Sequence, residues 1–147
     1  EDRRAVAAQR RGEPWFADAY AAMERLMAGT STPADIAAIA PFHYGRWDAT
    51  SQAFDARRAH ELNAEAADRY YADGVMDLAA IREALTNVDA SVLLIAGEYD
   101  LGLPSPTAAE FAALFRNGRL IVQPRGGHWG WLDDPDWFVR TVTEFLL

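Results

Sequence analysis

Two residues of this chain combine a reactive type with a telling address. Asp100 follows "GEY" at the end of the apolar run "SVLLIAG", and His128 sits in "PRGGHWGW" directly after a second apolar run, "RLIVQP". In open α/β sheets ligands bind outside the carboxyl ends of the strands, so side chains leaving two such ends reach one crevice. A carboxylate in that position accepts a hydrogen bond from an imidazole Nδ1–H, fixes its tautomer and stabilises the imidazolium formed when Nε2 takes a proton. That is the acid–base half of a nucleophilic site. The bland alternatives are a turn or capping aspartate and a loop histidine packed against Trp129 and Trp131. Trp129, next to the histidine, is the aromatic residue expected to face the crevice and touch substrate.

The elements that must position these residues lie between 87 and 147. "SVLLIAG" is a continuous apolar run bounded by turn residues, as in parallel strands buried on both faces. A helix follows, with Ser105 or Thr107 as its cap, Ala109, Phe111, Leu114 and Phe115 along its length, and a stop at Asn117-Gly118. "RLIVQP" supplies a second strand, making a βαβ unit with an expected right-handed crossover. Asp134 and Pro135 then start a last helix with Phe138, Val142, Phe145 and Leu146 inward.

Residues 1 to 86 read as helices without a convincing strand. Pro14 suits a first helical position, followed by Phe16, Tyr20, Met23, Leu26 and Met27 at helical spacing up to Gly29. Thr32 and Pro33 open a short helix that Pro41 closes, and "PFHYGRWD" reads as a loop. One or two helices run from about Ala49 to Asp73-Gly74, and Asp77 caps another with Leu78, Ile81 and Leu85 on one face. The fold class is therefore α/β, with a physical tension inside it. Two parallel strands apolar on both faces need neighbouring strands and two helical layers, so the sheet must be completed from elsewhere.

Composition narrows the function classes. The 147 residues carry a formal net charge of −8 and half of them are apolar, which suits one globular core and argues against nucleic acid as a partner. All the basic residues are arginine. With no cysteine, disulfides, thiolate nucleophiles and cysteine-ligated metals are excluded. No apolar stretch approaches the roughly 18 residues that span a bilayer, so no membrane partner is expected. The expected compartment is the cytoplasm; the chain begins at Glu1, which leaves a removed targeting signal open.

Here the order of pieces becomes specific. A strand followed by G-x-x-D, a helix, a second strand and then G-G-H-x-x-W-x-D-D-P, all within "VLLIAGEYD" to "GGHWGWLDDP", resembles the C-terminal third of an α/β-hydrolase. "EPWF", "YGRWD" and "ADRYYADG" are similar to the helical cap of the proline iminopeptidase-like branch (serine peptidase family S33). The resemblance implies a helical cap over residues 1–86 and the last part of the hydrolase core over 87–147. It implies a Ser-His-Asp triad with Asp100 and His128 as two members, working through an acyl-enzyme on a small peptide, amide or ester substrate, with no cofactor. The family's serine lies in a G-x-S-x-G elbow upstream of the acid. No such elbow occurs here: "GTSTP" around Ser31 has proline where the second glycine belongs, and Ser51, Ser91 and Ser105 have no better context. The nucleophile and oxyanion hole are therefore expected from an N-terminal half, as a separate chain or a missing segment.

Two rivals stand beside this reading. One is an Asp-nucleophile α/β-hydrolase, an epoxide hydrolase or dehalogenase, and the other is a non-catalytic binding module of the same fold. Iminopeptidases meet the substrate's amine with a cap carboxylate, for which Glu24, Glu61, Glu65 and Asp68 are available. "DDPD" lacks the ligand spacing of a calcium loop and reads as helix capping. His43 and His60 read as structural residues of the cap, too isolated for a metal site.

Overall fold

The computed structural model describes residues 2–70, 72 and 74–147. Among them, helices and turns occupy the chain as far as Thr86, and both strands come afterwards. The helix α1, Asp2–Ala8, carries Val6 and Ala7 inward. After it the chain turns repeatedly, with Glu13 N–H donating to the Arg10 carbonyl at 3.0 Å and Phe16 N–H to Glu13 at 3.0 Å. Pro14 thus lies in a turn before α2, Phe16–Met27, and not at its first helical position. The competing demand is tertiary: Trp15 is needed edge-on against Phe42, with ring centres 5.0 Å apart.

Gly29 ends α2 as expected. At φ 71° it takes the left-handed conformation that only glycine adopts freely. Its N–H reaches the Leu26 carbonyl at 3.1 Å and Thr30 N–H reaches Arg25 at 2.9 Å, satisfying two carbonyls the helix leaves open. Thr32 and Asp35 then form a reciprocal capping box on α3, Pro33–Ala38. The Arg25 guanidinium, with Thr32's backbone N–H and hydroxyl, holds the Asp35 carboxyl well below the usual carboxylate range. α3 stops at Ala38, and Pro41 falls inside a 3-10 turn, Ala40–His43, instead of marking the helix end.

α4, Ala49–Glu61, begins at Asp48, whose carboxylate accepts from Thr50 and Ser51 N–H. α5, Ala64–Tyr70, follows, so the segment from Ala49 holds two helices; the proposed stop at Asp73 lies outside the described residues. α6, Leu78–Thr86, is capped by Asp77 as its sequence predicts. Its apolar residues are not covered, however: Leu78 is 64% and Ile81 40% exposed.

The strands β1, Val92–Gly97, and β2, Gly118–Gln123, pair in parallel from Val92 opposite Gly118 to Gly97 opposite Gln123. The structure is thus mixed helix with a small two-stranded parallel sheet. In β1 Val92 to Ile95 are half-buried, in β2 Leu120 and Ile121 are half-buried while Gly118, Arg119 and Val122 are exposed, and only Ala96, Gly97 and Gln123 are fully enclosed. Between them α7, Ser105–Ala112, packs on both strands. Pro104 occupies its N-cap position with no side-chain cap, so neither Ser105 nor Thr107 caps it. Its inward face is Ala108 and Ala112, one turn apart, while Phe111 is 42% exposed. Small residues win because the helix lies close to the sheet: a Cβ on Gly118 would stand 2.2 Å from the Ala112 carbonyl oxygen.

A short turn of helix, α8, Gly130–Asp133, precedes α9, Pro135–Leu146. Asp134 caps α9 by accepting from Trp137 N–H at 3.0 Å. Thr141 is its buried residue, Phe138, Val142 and Phe145 are half-buried, and Leu146 points outward at 73% exposure, against expectation. None of these helices is long and apolar enough to cross a membrane.

The buried hydrophobic core joins the first helices of the chain to the loop after β1. Val6, Ala7, Ala19, Met23 and Phe42 from the helices close on Leu101, the neighbour of Asp100, with Trp15, Phe16, Tyr20 and Ile39 around them. Burial of those side chains holds the loop after β1 against α1, α2 and the 3-10 turn.

Candidate active site

Asp100 sits in the tight turn that ends β1. One carboxylate oxygen, Oδ1, accepts from Gly102 N–H at 2.7 Å and Leu103 N–H at 3.2 Å. That local bonding aims the other oxygen outward along the strand end. Oδ2 stands 2.9 Å from His128 Nδ1, so the two residues singled out by sequence meet in one contact. Asp100 is 4% exposed, whereas the His128 side chain remains 47% exposed. With Nδ1–H committed to the carboxylate, the Nε2 lone pair is the free basic site of the ring.

Glycines and backbone bonds bring the two loops this close. Glu98 N–H donates to the Gln123 carbonyl at 3.0 Å and Tyr99 N–H to Gly126 at 2.8 Å. Arg125 takes a left-handed φ of 55°, and its N–H donates to the Glu98 carboxylate at 2.7 Å. A Cβ on Gly97 would meet the Gly127 carbonyl oxygen at 2.2 Å, so only glycine allows the histidine loop to cross the strand end.

The electrostatics of the pair are mutual. Burial pushes the Asp100 carboxyl up, but hydrogen bonds from His128, Leu103 and Gly102 together with the imidazole charge outweigh it, and the net shift is downward. The His128 imidazole is raised above its ordinary value, chiefly by the hydrogen bond to Asp100, against burial and the Arg58 charge. His43 lies against the histidine loop. Its carbonyl accepts from His128 N–H at 2.8 Å, and its own ring is pushed down by burial and by the charges of Arg58 and His128. His60 is exposed on α4.

Trp129 lies beside the pair but is wedged against α4. Its ring meets His128 edge-on at 5.1 Å, Phe54 at 5.4 Å and Trp131 at 5.4 Å, and the Arg58 guanidinium stands 5.7 Å over it. It is half-buried, with its indole N–H enclosed among these groups. The cap carboxylates are spread over the helical surface. Glu24 binds Arg4 through two bonds of 2.7 and 2.9 Å, Glu61 faces Arg57 at 3.4 Å, Glu65 faces Arg69 at 2.7 Å, and Asp68 is exposed. Ser51 is buried in the capping box of α4, bonded to Asp48, and Ser105 lies in the first turn of α7. Among the described residues no cluster of three or more His, Asp and Glu could hold a metal ion.

Several residues that shape this region gave no signal in the sequence. Arg10 is buried, donates to the Tyr44 carbonyl at 2.8 Å, and is stacked between Trp15 and Tyr99 at 4.8 and 4.9 Å. It connects the turns between α1 and α2 to the loop carrying Asp100 through cation–π contacts. Buried Tyr44 donates its hydroxyl to Asp55 at 2.9 Å; burial and that carboxylate push its phenol up to about 12. Gln123, 1% exposed at the end of β2, donates to the Gly130 carbonyl at 3.0 Å and so fixes the start of α8. Arg10 works through Tyr44, 34 residues away, whereas Tyr44 and Gln123 work through partners 11 and 7 residues on, spacings that lie outside the i+2, i+3 and i+4 patterns of strand and helix.

No family model, curated protein or solved structure matches this chain.

Proposed function

We propose that this chain is the C-terminal portion of a serine α/β-hydrolase similar to proline iminopeptidases, cleaving an amide or ester bond. The observation that carries the reading is the 2.9 Å contact between buried Asp100 and half-open His128 at the carboxyl ends of two parallel strands. His128 acts as general base toward the nucleophilic serine and then as general acid toward the leaving group, and Asp100 orients it and stabilises its cation. Serine attack forms an acyl-enzyme, which water hydrolyses with the same histidine as base. The serine, the oxyanion hole and the remaining strands come from an N-terminal half outside this chain. The half-buried strands, with Val122 38% exposed, fit a sheet continued by another segment.

The test is covalent labelling of the complete gene product with a fluorophosphonate probe, which needs an activated serine. Labelling that His128→Gln abolishes is the expected result. Absence of labelling in the folded wild-type protein overturns the serine mechanism. Turnover of an epoxide or haloalkane would then identify the aspartate-nucleophile rival, and no turnover at all a binding module.

A further inference from the structure

Asp133 and Asp134 are adjacent carboxylates with different work. Asp134 caps α9 through Trp137 N–H. Asp133 faces the other way, toward two backbone segments that are far apart in sequence. Its Oδ1 accepts from Gly45 N–H at 3.0 Å, and its Oδ2 accepts from Gly127 N–H at 2.7 Å. Gly127 is the residue immediately before His128. One residue further on, His128 N–H donates to the His43 carbonyl at 2.8 Å. Three hydrogen bonds therefore fasten the histidine loop to residues 43–45.

We infer that Asp133 is a positioning residue for His128, its carboxylate bridging Gly45 and Gly127 so that the imidazole is held at Asp100. Both glycines are required by the bridge. A Cβ on Gly45 would stand 2.9 Å from Asp133 Cγ and 2.1 Å from the Arg125 carbonyl oxygen, and one on Gly127 would stand 2.5 Å from the His43 carbonyl oxygen. A carboxylate also suits the place better than an amide. Two converging N–H donors need two acceptor oxygens, and asparagine would oppose one of them with its own NH2. The carboxylate is held there at some cost: burial pushes Asp133 up, against the two backbone bonds and Arg46. The catalytic consequence rests on the proposed hydrolase reading, whereas the positioning itself does not.

The experiment is a pH titration of the His128 ring by nitrogen-15 NMR in the complete gene product, as wild type, Asp133→Asn and Asp134→Asn. The groups bearing on that ring are Asp100, His43 and Arg58. In Asp133→Asn the loop is released, the contact to Asp100 lengthens, and the midpoint falls toward about 6.5, the value of an unperturbed imidazole. Asp134→Asn removes the same charge one residue away and keeps a good capping side chain, so the midpoint stays. An unchanged midpoint in Asp133→Asn, or an equal shift in Asp134→Asn, overturns the inference. Should Asp133→Asn not fold, Asp133→Glu is read in its place, and an unmoved midpoint there overturns it equally. Because the readout is the histidine and not turnover, failure here is distinct from failure of fluorophosphonate labelling.

Discussion

The N-terminal helices α1 to α3 and the later helix α6 follow the same sequence rules but come to rest in different surroundings. In α2, residues spaced by helical turns go inward: Ala19, Ala22 and Met23 are buried. In α6, Leu78, Ile81 and Leu85 make an equally regular stripe, and none of its residues is buried. Leu62 and Val75, earlier in the same stretch of chain, are 60% and 57% exposed. The first region closes on Leu101, Tyr99 and the histidine loop and so determines where Asp100 and His128 stand. Amphipathic periodicity states that a helix has a face to bury; it does not state against what.

The sharpest way to exploit this contrast is at the site itself. If the proposed hydrolase reading holds, Asp100→Asn in the complete protein costs on the order of 10⁴ in turnover, because the amide no longer selects the required tautomer. Steady-state kinetics on an ester or anilide substrate checks it, and turnover within tenfold of wild type would remove Asp100 from the mechanism. The same pair sets a pH dependence. His128 is raised above 6.5 by Asp100, so its contribution to stability is complete below pH 6.5 and is lost as pH rises through the elevated folded value. Asp100 is depressed below 3.8, so its contribution is present above pH 3.8 and is lost as pH falls through the depressed folded value. On the proposed hydrolase reading His128 must be neutral to act as general base, so the acidic limb of kcat/KM should lie above pH 6.5.

Next in size is the core of the clamped region. Phe42, 1% exposed and in edge contact with Trp15 and Phe16, should lose about 3–5 kcal/mol on replacement by alanine, read from urea unfolding. Near-wild-type stability in Phe42→Ala would erase the distinction between the regions. Removing the α3 cap by Thr32→Ala should cost about 1 kcal/mol in the same assay. The smallest effect is expected in the open region: Leu78→Ala should stay within about 0.5 kcal/mol of wild type in this chain. A loss of several kcal/mol there would mean that α6 is covered in solution and that the contrast is between two buried regions.

Local rules carried much of the architecture. Gly29, the Thr32 box, Asp77 and Asp134 act where the sequence places them, because a cap or a left-handed turn is settled within a few residues. Strand order and the juxtaposition of Asp100 and His128 were legible too, since parallel strands joined by a helix deliver both carboxyl ends to one edge. The misreadings have a common source. Pro14 and Pro41 satisfy a helix boundary on paper, but Trp15 and Phe42 are claimed by the core. Phe111 looks like an anchor, yet the close approach of α7 to Gly118 admits only Ala108 and Ala112.

What the sequence by itself determined, then, is the set of elements and the chemical types waiting at the strand ends. Those follow from hydrogen bonding and periodicity over short spans. Only the tertiary structure decided that Asp133 and not Asp134 grips the histidine loop, that Arg10 stacks on Tyr99, and that His43 lies beside the pair. Each of these depends on groups brought together across 85 to 89 residues, His43 with His128, Gly45 with Asp133 and Arg10 with Tyr99, and long-range proximity is set by which surfaces bury each other, not by any residue's immediate neighbours.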